Sequence, residues 1–162
     1  MFATRGFHRD ERILSFRGPL LSTESVGDFT HTIQVGVDLF LGASGWIDDY
    51  VNHSCEPNCG LRSAPPRLEL VSMRAIEPGE EITFDYSTGI LDEPALDSCG
   101  CGSRLCRGRI GAFWDLDPGT RARYRRLGIV PEFVVQGRPG RSRRQICNTL
   151  RPGIGLPPEP TV

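Results

Sequence analysis

Residues 99–106 read Cys-Gly-Cys-Gly-Ser-Arg-Leu-Cys, a C-x-C-x4-C cluster that supplies three of the four ligands of a closed zinc site. Structural Zn²⁺ prefers four soft ligands in a tetrahedron. The missing thiolate has a candidate in Cys55, more than forty residues upstream, and an alternative in Cys59, four residues further on. A metal bound by both stretches would fold the intervening chain back on itself. Because four thiolates leave no open position on the metal, the pattern predicts a structural site.

Composition sets the class of protein. The chain has 162 residues, of which 38% are apolar, with 19 Gly and 13 Pro. This is enough for one core, and it predicts short strands joined by many loops. No stretch reaches the length of a membrane span and nothing resembles a signal peptide. We therefore expect a cytoplasmic monomer with reduced thiols, whose clustered cysteines bind metal rather than form disulfides.

The charge is divided along the chain. Residues 1–117 carry 18 acidic residues against 10 arginines, a net charge of −8, whereas residues 118–162 have a net charge of +7. The acidic part favours a basic partner through long-range attraction, although an acidic surface also serves solubility alone. The Arg-rich end leaves nucleic acid as a minor alternative partner, and a solvated tail is the favoured interpretation.

Short alternating segments predict a β-rich fold. Residues 12–16, 31–35 and 38–41 have the pattern of half-buried strands, and the last two are separated by a Gly36-containing turn typical of a hairpin. Residues 67–73 alternate most clearly, and a turn at 77–80 precedes a returning strand at 81–85. The best helix candidate spans residues 120–127, between Pro118 and Gly128.

Three segments occur in a fixed order: Asn-His-Ser-Cys-Glu-Pro-Asn at 52–58, Gly-Glu-Glu-Ile-Thr-Phe-Asp-Tyr at 79–86, and Cys-Gly-Cys-Gly-Ser-Arg-Leu-Cys-Arg-Gly-Arg-Ile at 99–110. Together they resemble the SET-domain family of protein lysine methyltransferases, with its cysteine-rich post-SET segment. Phe2-Ala3-Thr4-Arg5 resembles an opening strand of the same family. The resemblance covers roughly residues 1–114.

The resemblance implies a mainly β fold of small curled sheets with a pseudoknot, a zinc-bound post-SET segment and a short C-terminal helix. The pseudoknot would join the 52–58 segment to the strand that ends at Tyr86. The implied organisation is a SET domain at 1–98, a post-SET zinc segment at 99–115, a short helical extension at 116–135 and an Arg/Pro/Gly-rich disordered tail at 136–162.

The resemblance also assigns the ligands. It selects Cys55 over Cys59 as the partner of Cys99, Cys101 and Cys106 in a structural zinc site. Asn52 and His53 are expected to contact S-adenosylmethionine. Further candidates for cofactor contact are Tyr50, Phe2, Ala3 and Leu105.

The acceptor side is assigned in the same way. Tyr86 matches the tyrosine that orients the lysine amine, and Phe84 stands where phenylalanine leaves room for di- or trimethylation. Phe113 and Trp114 are offset from the aromatic residue that covers the cofactor in this family. Without the resemblance, the two strand aromatics would be interpreted as core residues and the Asn-His pair as a hydrogen-bonded turn.

The resemblance further implies a Gly-x-Gly segment just before Phe2, so we expect the chain to begin downstream of it. The predicted function is transfer of a methyl group from S-adenosylmethionine to a lysine of a basic protein or peptide. The alternative is a catalytically impaired, zinc-stabilised interaction module with the same fold. A thiol-redox protein is a third interpretation, which the metal-like spacing of the cysteines disfavours.

Overall fold

The computed structural model describes residues 1–27, 29–64, 67–91 and 98–137. The predicted disordered tail at 136–162 lies outside the described residues from position 138 onward. Within the described residues, eight short strands and two helices alternate with 3₁₀ turns. Their bounds are β1 (Arg12–Ser15), β2 (Leu20–Ser22), β3 (Ile33–Gly36), β4 (Leu39–Leu41), β5 (Asn52–His53), β6 (Cys59–Ala64), β7 (Arg67–Ser72), β8 (Thr83–Phe84), α1 (Pro118–Arg126) and α2 (Glu132–Gln136).

The strands form two small sheets. The larger sheet has the order β1-β7-β6-β8-β5, and the smaller antiparallel sheet has the order β2-β4-β3. Strand β8 pairs in parallel with both β5 and β6, so it lies between the two ends of the 54–58 loop. That loop therefore crosses from one side of β8 to the other, as the predicted pseudoknot requires. The mainly β fold of small sheets is confirmed.

The alternating segments became strands where they were predicted. Strands β1, β7, β3 and β4 lie within the predicted segments to within one residue, and β3 and β4 form the expected hairpin. The strand predicted at 81–85 is reduced to β8. Strand β6 was not predicted, because Cys59, Gly60 and Leu61 are all buried and the sequence does not alternate there.

Helix α1 starts two residues earlier than predicted. Asp117 caps it by accepting a hydrogen bond of 3.0 Å from the Thr120 amide, and Pro118 occupies the first turn, where its missing N–H costs nothing. Gly128 ends the helix at a φ of +64°, a left-handed conformation that glycine adopts without strain. Across the described residues no helix has the length and apolar character of a membrane span.

Two hydrophobic cores support the sheets. The first is centred on buried residues of β6, β7 and β8, including Leu61, Leu70 and Phe84. The second joins the C-terminal segment to Val71 on β7, through Phe113, Tyr124 and Ile129. The helical segment after residue 117 is therefore packed against the larger sheet rather than appended to it.

Gly60 is the point of closest approach between β6 and the C-terminal segment. A Cβ atom at this position would lie 2.5 Å from Cβ of Ile129. We expect Gly60→Ala to lower the free energy of unfolding by about 1–3 kcal/mol through overpacking, as measured by urea denaturation. Gly27→Ala is the control, because nothing lies within 4 Å of its added Cβ. Equal free energies of unfolding for the two variants would show that Ile129 does not pack against Gly60 of β6.

Candidate active site

The centre of the site is the parallel pair β5–β8. Asn52 lies opposite Thr83 and His53 opposite Phe84, and the Ser54 amide donates to the Phe84 carbonyl over 3.1 Å. Asn58 fixes the returning loop, because its side chain donates to the Glu81 carbonyl over 2.8 Å and accepts from the Thr83 amide over 3.0 Å. These contacts bring two segments separated by about thirty residues into one rigid unit.

Tyr86 lies two residues after β8, next to two other aromatic rings. Its ring centroid is 5.3 Å from that of His53 and 4.8 Å from that of Phe84. Its hydroxyl donates a hydrogen bond of 2.7 Å to the Val51 carbonyl. Burial raises the pKa of Tyr86, so the side chain remains a neutral phenol at pH 7. With its proton directed at Val51, the oxygen retains lone pairs that can accept a further hydrogen bond.

Phe84 is 5% exposed and belongs to the first core. Its ring meets that of Phe16 edge-on at 5.9 Å and is tilted against Tyr86. Phe84 thus supports the tyrosine ring from the side of the core.

Three of the residues expected to contact the cofactor, Phe2, Tyr50 and Asn52, lie near one another. Phe2 and Tyr50 are 64% and 60% exposed, and the N-terminal ammonium of Met1 donates to the Tyr50 carbonyl over 3.1 Å. Phe2 also pairs with Glu81, whose carboxylate accepts a hydrogen bond of 2.7 Å from the Asn52 side chain. Phe2, Tyr50 and Asn52 are therefore joined around the strand that leads into β8.

Two further candidates have different surroundings. The side chain of Ala3 is buried, and its amide and carbonyl pair with the backbone of the 79–80 turn. Leu105 is 65% exposed in the cysteine segment, where its amide donates to the Glu56 carboxylate over 3.3 Å. Of these two residues, only Leu105 presents a side chain to solvent.

Phe113 and Trp114, which follow the cysteine segment, pack with the C-terminal helices. Phe113 is fully buried in the second core, and the indole of Trp114 donates to the Val134 carbonyl over 3.1 Å. Both residues hold the C-terminal segment in place. Phe113, enclosed in the core, has no exposed surface with which to cover a ligand, whereas Trp114 is only partly buried.

Cysteines from both stretches converge beside β5. The ligand atoms of His53, Cys55, Cys99 and Cys101 all lie within 4.8 Å of one another, with Cys55 Sγ 3.9 Å from Cys99 Sγ. Cys106 interacts with the side chains of Cys99 and Cys101, and its thiol lies 3.3 Å from the Cys99 carbonyl. Cys59 is instead buried in the first core.

The hydrogen bonds of His53 indicate which of its ring nitrogens carries the proton. The Tyr86 amide donates to Nδ1 over 3.2 Å, while Nε2 lies 3.3 Å from Cys55 Sγ. Burial, the leading influence, lowers the pKa of His53, so the ring is neutral at pH 7. A neutral ring that accepts at Nδ1 carries its proton on Nε2. In this tautomer Nε2 donates to the Cys55 sulfur, and a metal could bind Nε2 only after that proton is lost.

The thiol cluster has the chemistry of a cation site. Burial raises the pKa of Cys55 to about 12, whereas hydrogen bonds at Cys101, acting against its burial, lower the pKa of that thiol to about 7. A buried thiol with a raised pKa becomes a thiolate only when a positive charge compensates it. The thiols of Cys55, Cys99 and Cys101 converge with the His53 ring, and Cys106 interacts with two of these thiols. This set of donors fits Zn²⁺, which supplies that charge.

Sequence reasoning missed Asp85, Arg107 and Tyr124, which meet beside this site. The Asp85 side chain is fully buried and forms a double hydrogen bond with Arg107. The signal was present in the sequence, since a carboxylate between Phe84 and Tyr86 on a buried strand requires a cationic partner. It did not indicate which arginine would supply the charge.

A cleft of about 450 Å³ lies away from this site. None of the predicted site residues lines it. It is lined by Arg9, Glu56, Pro57, Met73, Arg74, Arg123 and Leu127. The candidate active site is therefore defined by side-chain chemistry rather than by cavity volume.

The chain belongs to the SET-domain family. Residues 1–87, more than half of the chain, match the family model described as SET domain. The predicted family membership is thereby confirmed, independently of the cysteine segment, which lies beyond the matched residues.

Two curated relatives have names that state an activity. The chain is 36% identical over 104 residues to histone-lysine N-methyltransferase ash1 of Drosophila melanogaster, a match that covers 59% of this chain and 4% of the relative. It is 40% identical over 74 residues to histone-lysine N-methyltransferase ASHH2 of Arabidopsis thaliana, covering 43% of this chain and 4% of the relative. The chain thus spans a small part of the length of these relatives.

The fold of this chain is similar to that of two solved structures. KRYPTONITE in complex with mCHG DNA and SAH superposes with a TM-score of 0.57 at 22% identity, over 67% of this chain and 26% of that chain. A second KRYPTONITE complex, with mCHH DNA, H3(1-15) peptide and SAH, gives a TM-score of 0.56 at 21% identity, with the same coverage. At this identity the likeness establishes the fold alone.

Proposed function

We propose that this chain transfers a methyl group from S-adenosylmethionine to the side-chain amine of a lysine in a basic protein of the histone type. The observation that carries the proposal is Tyr86, a neutral phenol whose proton is committed to the Val51 carbonyl. The relatives named as histone-lysine methyltransferases, and the SAH and H3 peptide in the KRYPTONITE complex, support the cofactor and the substrate class. The net charge of −8 over residues 1–117 is suited to a basic partner.

The reaction sets the requirements for the site. The amine nitrogen forms a bond to the methyl carbon as the bond from that carbon to the sulfonium sulfur breaks, so the nitrogen needs a free lone pair. Lysine has a pKa near 10.4, and holding it neutral at pH 7 costs about 4.6 kcal/mol. Desolvation and a nearby sulfonium charge both lower that pKa. The proton that the amine gives up passes to solvent.

Tyr86 meets the orienting requirement. A neutral amine carries two N–H donors, and the phenolic oxygen of Tyr86 has lone pairs available to accept one of them. That hydrogen bond leaves the nitrogen lone pair free to point at the methyl group. Positioning of this kind contributes several kcal/mol to catalysis without a dedicated base.

Two groups of residues would hold the cofactor. Asn52, Tyr50, Phe2 and the backbone of Ala3 surround the strand that leads into β8, and His53 lies beside Tyr86. Leu105 presents an apolar side chain from the cysteine segment. S-adenosylmethionine, when bound, supplies the electrophilic methyl group.

We assign a structural zinc ion to Cys55, Cys99, Cys101 and Cys106. His53 is left out of the ligand set because, in the assigned tautomer, its Nε2 proton faces the Cys55 sulfur. Zinc bound here supplies no chemistry to the reaction, since four thiolates leave no open position. Its contribution is to join the cysteine segment to the loop that follows β5.

The proposal is tested by mixing the chain with methyl-labelled S-adenosylmethionine and a peptide of the first fifteen residues of histone H3. A form extended by the residues encoded upstream of Met1 is assayed in parallel. We expect label in the peptide, and none in a control peptide in which every lysine is replaced by arginine. Absence of label, with no measurable binding of S-adenosylmethionine by calorimetry even in the extended form, would instead favour the interaction module. Label in the arginine peptide would contradict lysine as the acceptor.

Phe84 is proposed to set the degree of methylation. A hydroxyl added by Phe84→Tyr can accept a second N–H of the amine and occupies space that a methyl group would need. We expect the product to shift from di- or trimethyl-lysine towards monomethyl-lysine, measured by mass spectrometry of the peptide. Phe16→Tyr, a change of the same size on the neighbouring ring, is the control and should leave the distribution unchanged. An unaltered distribution in both variants would place Phe84 in the core alone.

A further inference from the structure

The carboxylate of Asp85 is the most densely bonded acid in the described part of the chain. Its side chain has no exposed surface. It accepts two hydrogen bonds from the Arg107 guanidinium, of 2.9 and 2.7 Å, and one of 3.1 Å from the Tyr124 hydroxyl. The Ser87 amide adds a fourth bond of 3.1 Å. A buried carboxylate is tolerated only with such compensation.

The partners of Asp85 come from separate parts of the chain. Arg107 follows the last cysteine of the zinc segment, and Tyr124 lies on helix α1, beyond the residues matched by the family model. Arg107 also donates to the Ser87 hydroxyl over 3.3 Å, so the cysteine segment is bound to the turn after β8 at both Asp85 and Ser87. Tyr124 is itself 1% exposed, so its hydroxyl depends on Asp85 as an acceptor.

Asp85 in turn shapes the backbone at Tyr86. It caps the 3₁₀ turn Tyr86–Gly89, with its carboxylate accepting from the Ser87 amide and its carbonyl accepting from the Thr88 amide over 2.9 Å. The Thr88 hydroxyl adds a bond of 2.7 Å to the same carbonyl. The orientation of the Asp85 side chain thereby fixes the turn on which the Tyr86 ring is carried.

Arg107 connects this turn to the thiol cluster. Its backbone amide donates to Cys55 Sγ over 3.4 Å, while its guanidinium holds Asp85. A displacement of the cysteine segment is therefore transmitted to the turn that bears Tyr86. One residue couples the metal site to the acceptor side.

We propose that Asp85, Arg107 and Tyr124 form a positioning clamp through which the cysteine segment and helix α1 set the orientation of Tyr86. These are positioning residues, since they act on the reacting amine only through Tyr86. The effect of the clamp on methyl transfer rests on the proposed function, whereas its effect on the orientation of the Tyr86 ring does not. It makes helix α1 a component of the active site.

Two conservative variants test the clamp in the full chain. Tyr124→Phe removes one hydroxyl, and Arg107→Lys keeps the charge and the backbone amide but loses the double hydrogen bond. We expect both to lower kcat by about 5- to 50-fold, with KM for the peptide within about twofold and zinc content unchanged. Ile129→Val is the matched control, because it trims the same core but cannot hydrogen-bond to Asp85. Its kcat should equal that of the parent chain.

A second readout is independent of activity. The chain contains three tyrosines, at positions 50, 86 and 124, so 3-fluorotyrosine labelling gives three ¹⁹F resonances. Tyr124→Phe deletes one signal, and we expect it to shift or broaden that of Tyr86 while leaving that of Tyr50 in place. Arg107→Lys should also perturb the Tyr86 signal, whereas Ile129→Val should leave all three in place.

The outcomes separate the two proposals. An unchanged Tyr86 resonance in Tyr124→Phe and Arg107→Lys would overturn the clamp, whatever the activity. A perturbed resonance in a chain that transfers no methyl group would support the clamp and overturn the proposed function. A fall in kcat of the same size in Ile129→Val would also overturn the clamp, by showing a general effect of core stability.

Discussion

Tyr86→Phe is expected to lower kcat for methyl transfer to the peptide by about 100-fold, which corresponds to about 2.7 kcal/mol in the barrier. The substitution removes only the oxygen that we assign as acceptor for the amine. The ring and its contacts with His53 and Phe84 remain. The fall in kcat would therefore reflect poorer orientation of the lysine amine, since the shape of the site is retained.

Binding and stability provide the internal controls for this variant. The dissociation constant of S-adenosylmethionine, measured by calorimetry, should stay within about threefold, because the substitution keeps the ring that packs against His53 and leaves the other proposed cofactor contacts in place. The Val51 carbonyl loses its donor, so the free energy of unfolding should fall by about 1 kcal/mol. Undiminished turnover would remove Tyr86 from the mechanism, and a lost kcat accompanied by lost cofactor binding would assign it a different role.

Cys55→Ala is expected to abolish stoichiometric zinc binding, measured by elemental analysis of the purified chain. Structural zinc sites contribute about 10–16 kcal/mol of apparent binding free energy, and three remaining thiols cannot close the tetrahedron. The link between the 54–58 loop and the cysteine segment is then lost. By analogy with the loss of a native cross-link, we expect about 2–5 kcal/mol of destabilisation, seen as a lower thermal midpoint. Chelation of the metal from the parent chain should have the same effect.

Cys59→Ala is the matched control for the metal site. Cys59 lies four residues after Cys55, at the start of β6, and its side chain is in the hydrophobic core with no exposed surface. Its variant should keep one zinc ion per chain and lose only packing. Zinc retained in Cys55→Ala and lost in Cys59→Ala would contradict the ligand assignment.

His53→Gln tests the exclusion of histidine from the ligand set. Because Nε2 carries the ring proton in our assignment, this variant should also retain zinc. Loss of the metal in His53→Gln, with zinc retained in Cys106→Ala, would show that the site uses His53 in place of Cys106.

Much of the fold could be predicted because its signals are local. The 77–80 turn, the alternation at 67–73 and the proline and glycine around α1 each act through neighbouring residues, and each appears in the structure. Strand β6 could not be found in this way. Its burial on both faces depends on Ile129 packing onto Gly60, and that contact is set by a segment nearly seventy residues away.

The candidate site was predictable to the extent that it consists of motifs. The order of the three segments indicated the family and identified Tyr86, Asn52 and the cysteines as candidates. Which residues contact a candidate was not predictable, because many groups of suitable chemistry are available along the chain. Arg107 is one of 19 arginines, and nothing in its sequence neighbourhood marks it as the partner of Asp85.

The sequence by itself determined the thiol cluster at 99–106, the tyrosine at the end of β8 and the short-stranded β class, since spacing and residue type are sufficient for these. Cys55 was selected over Cys59 through the family resemblance, and the tertiary structure places its thiol beside those of Cys99 and Cys101 while Cys59 lies in the core. The tertiary structure also supplied the hydrogen-bond partners from which we assign the His53 proton to Nε2. It also brought Tyr124 of helix α1 onto Asp85. The physical reason is that a metal ligand, a tautomer and a buried ion pair each depend on a long-range contact, and such a contact is made by the packing of the whole chain.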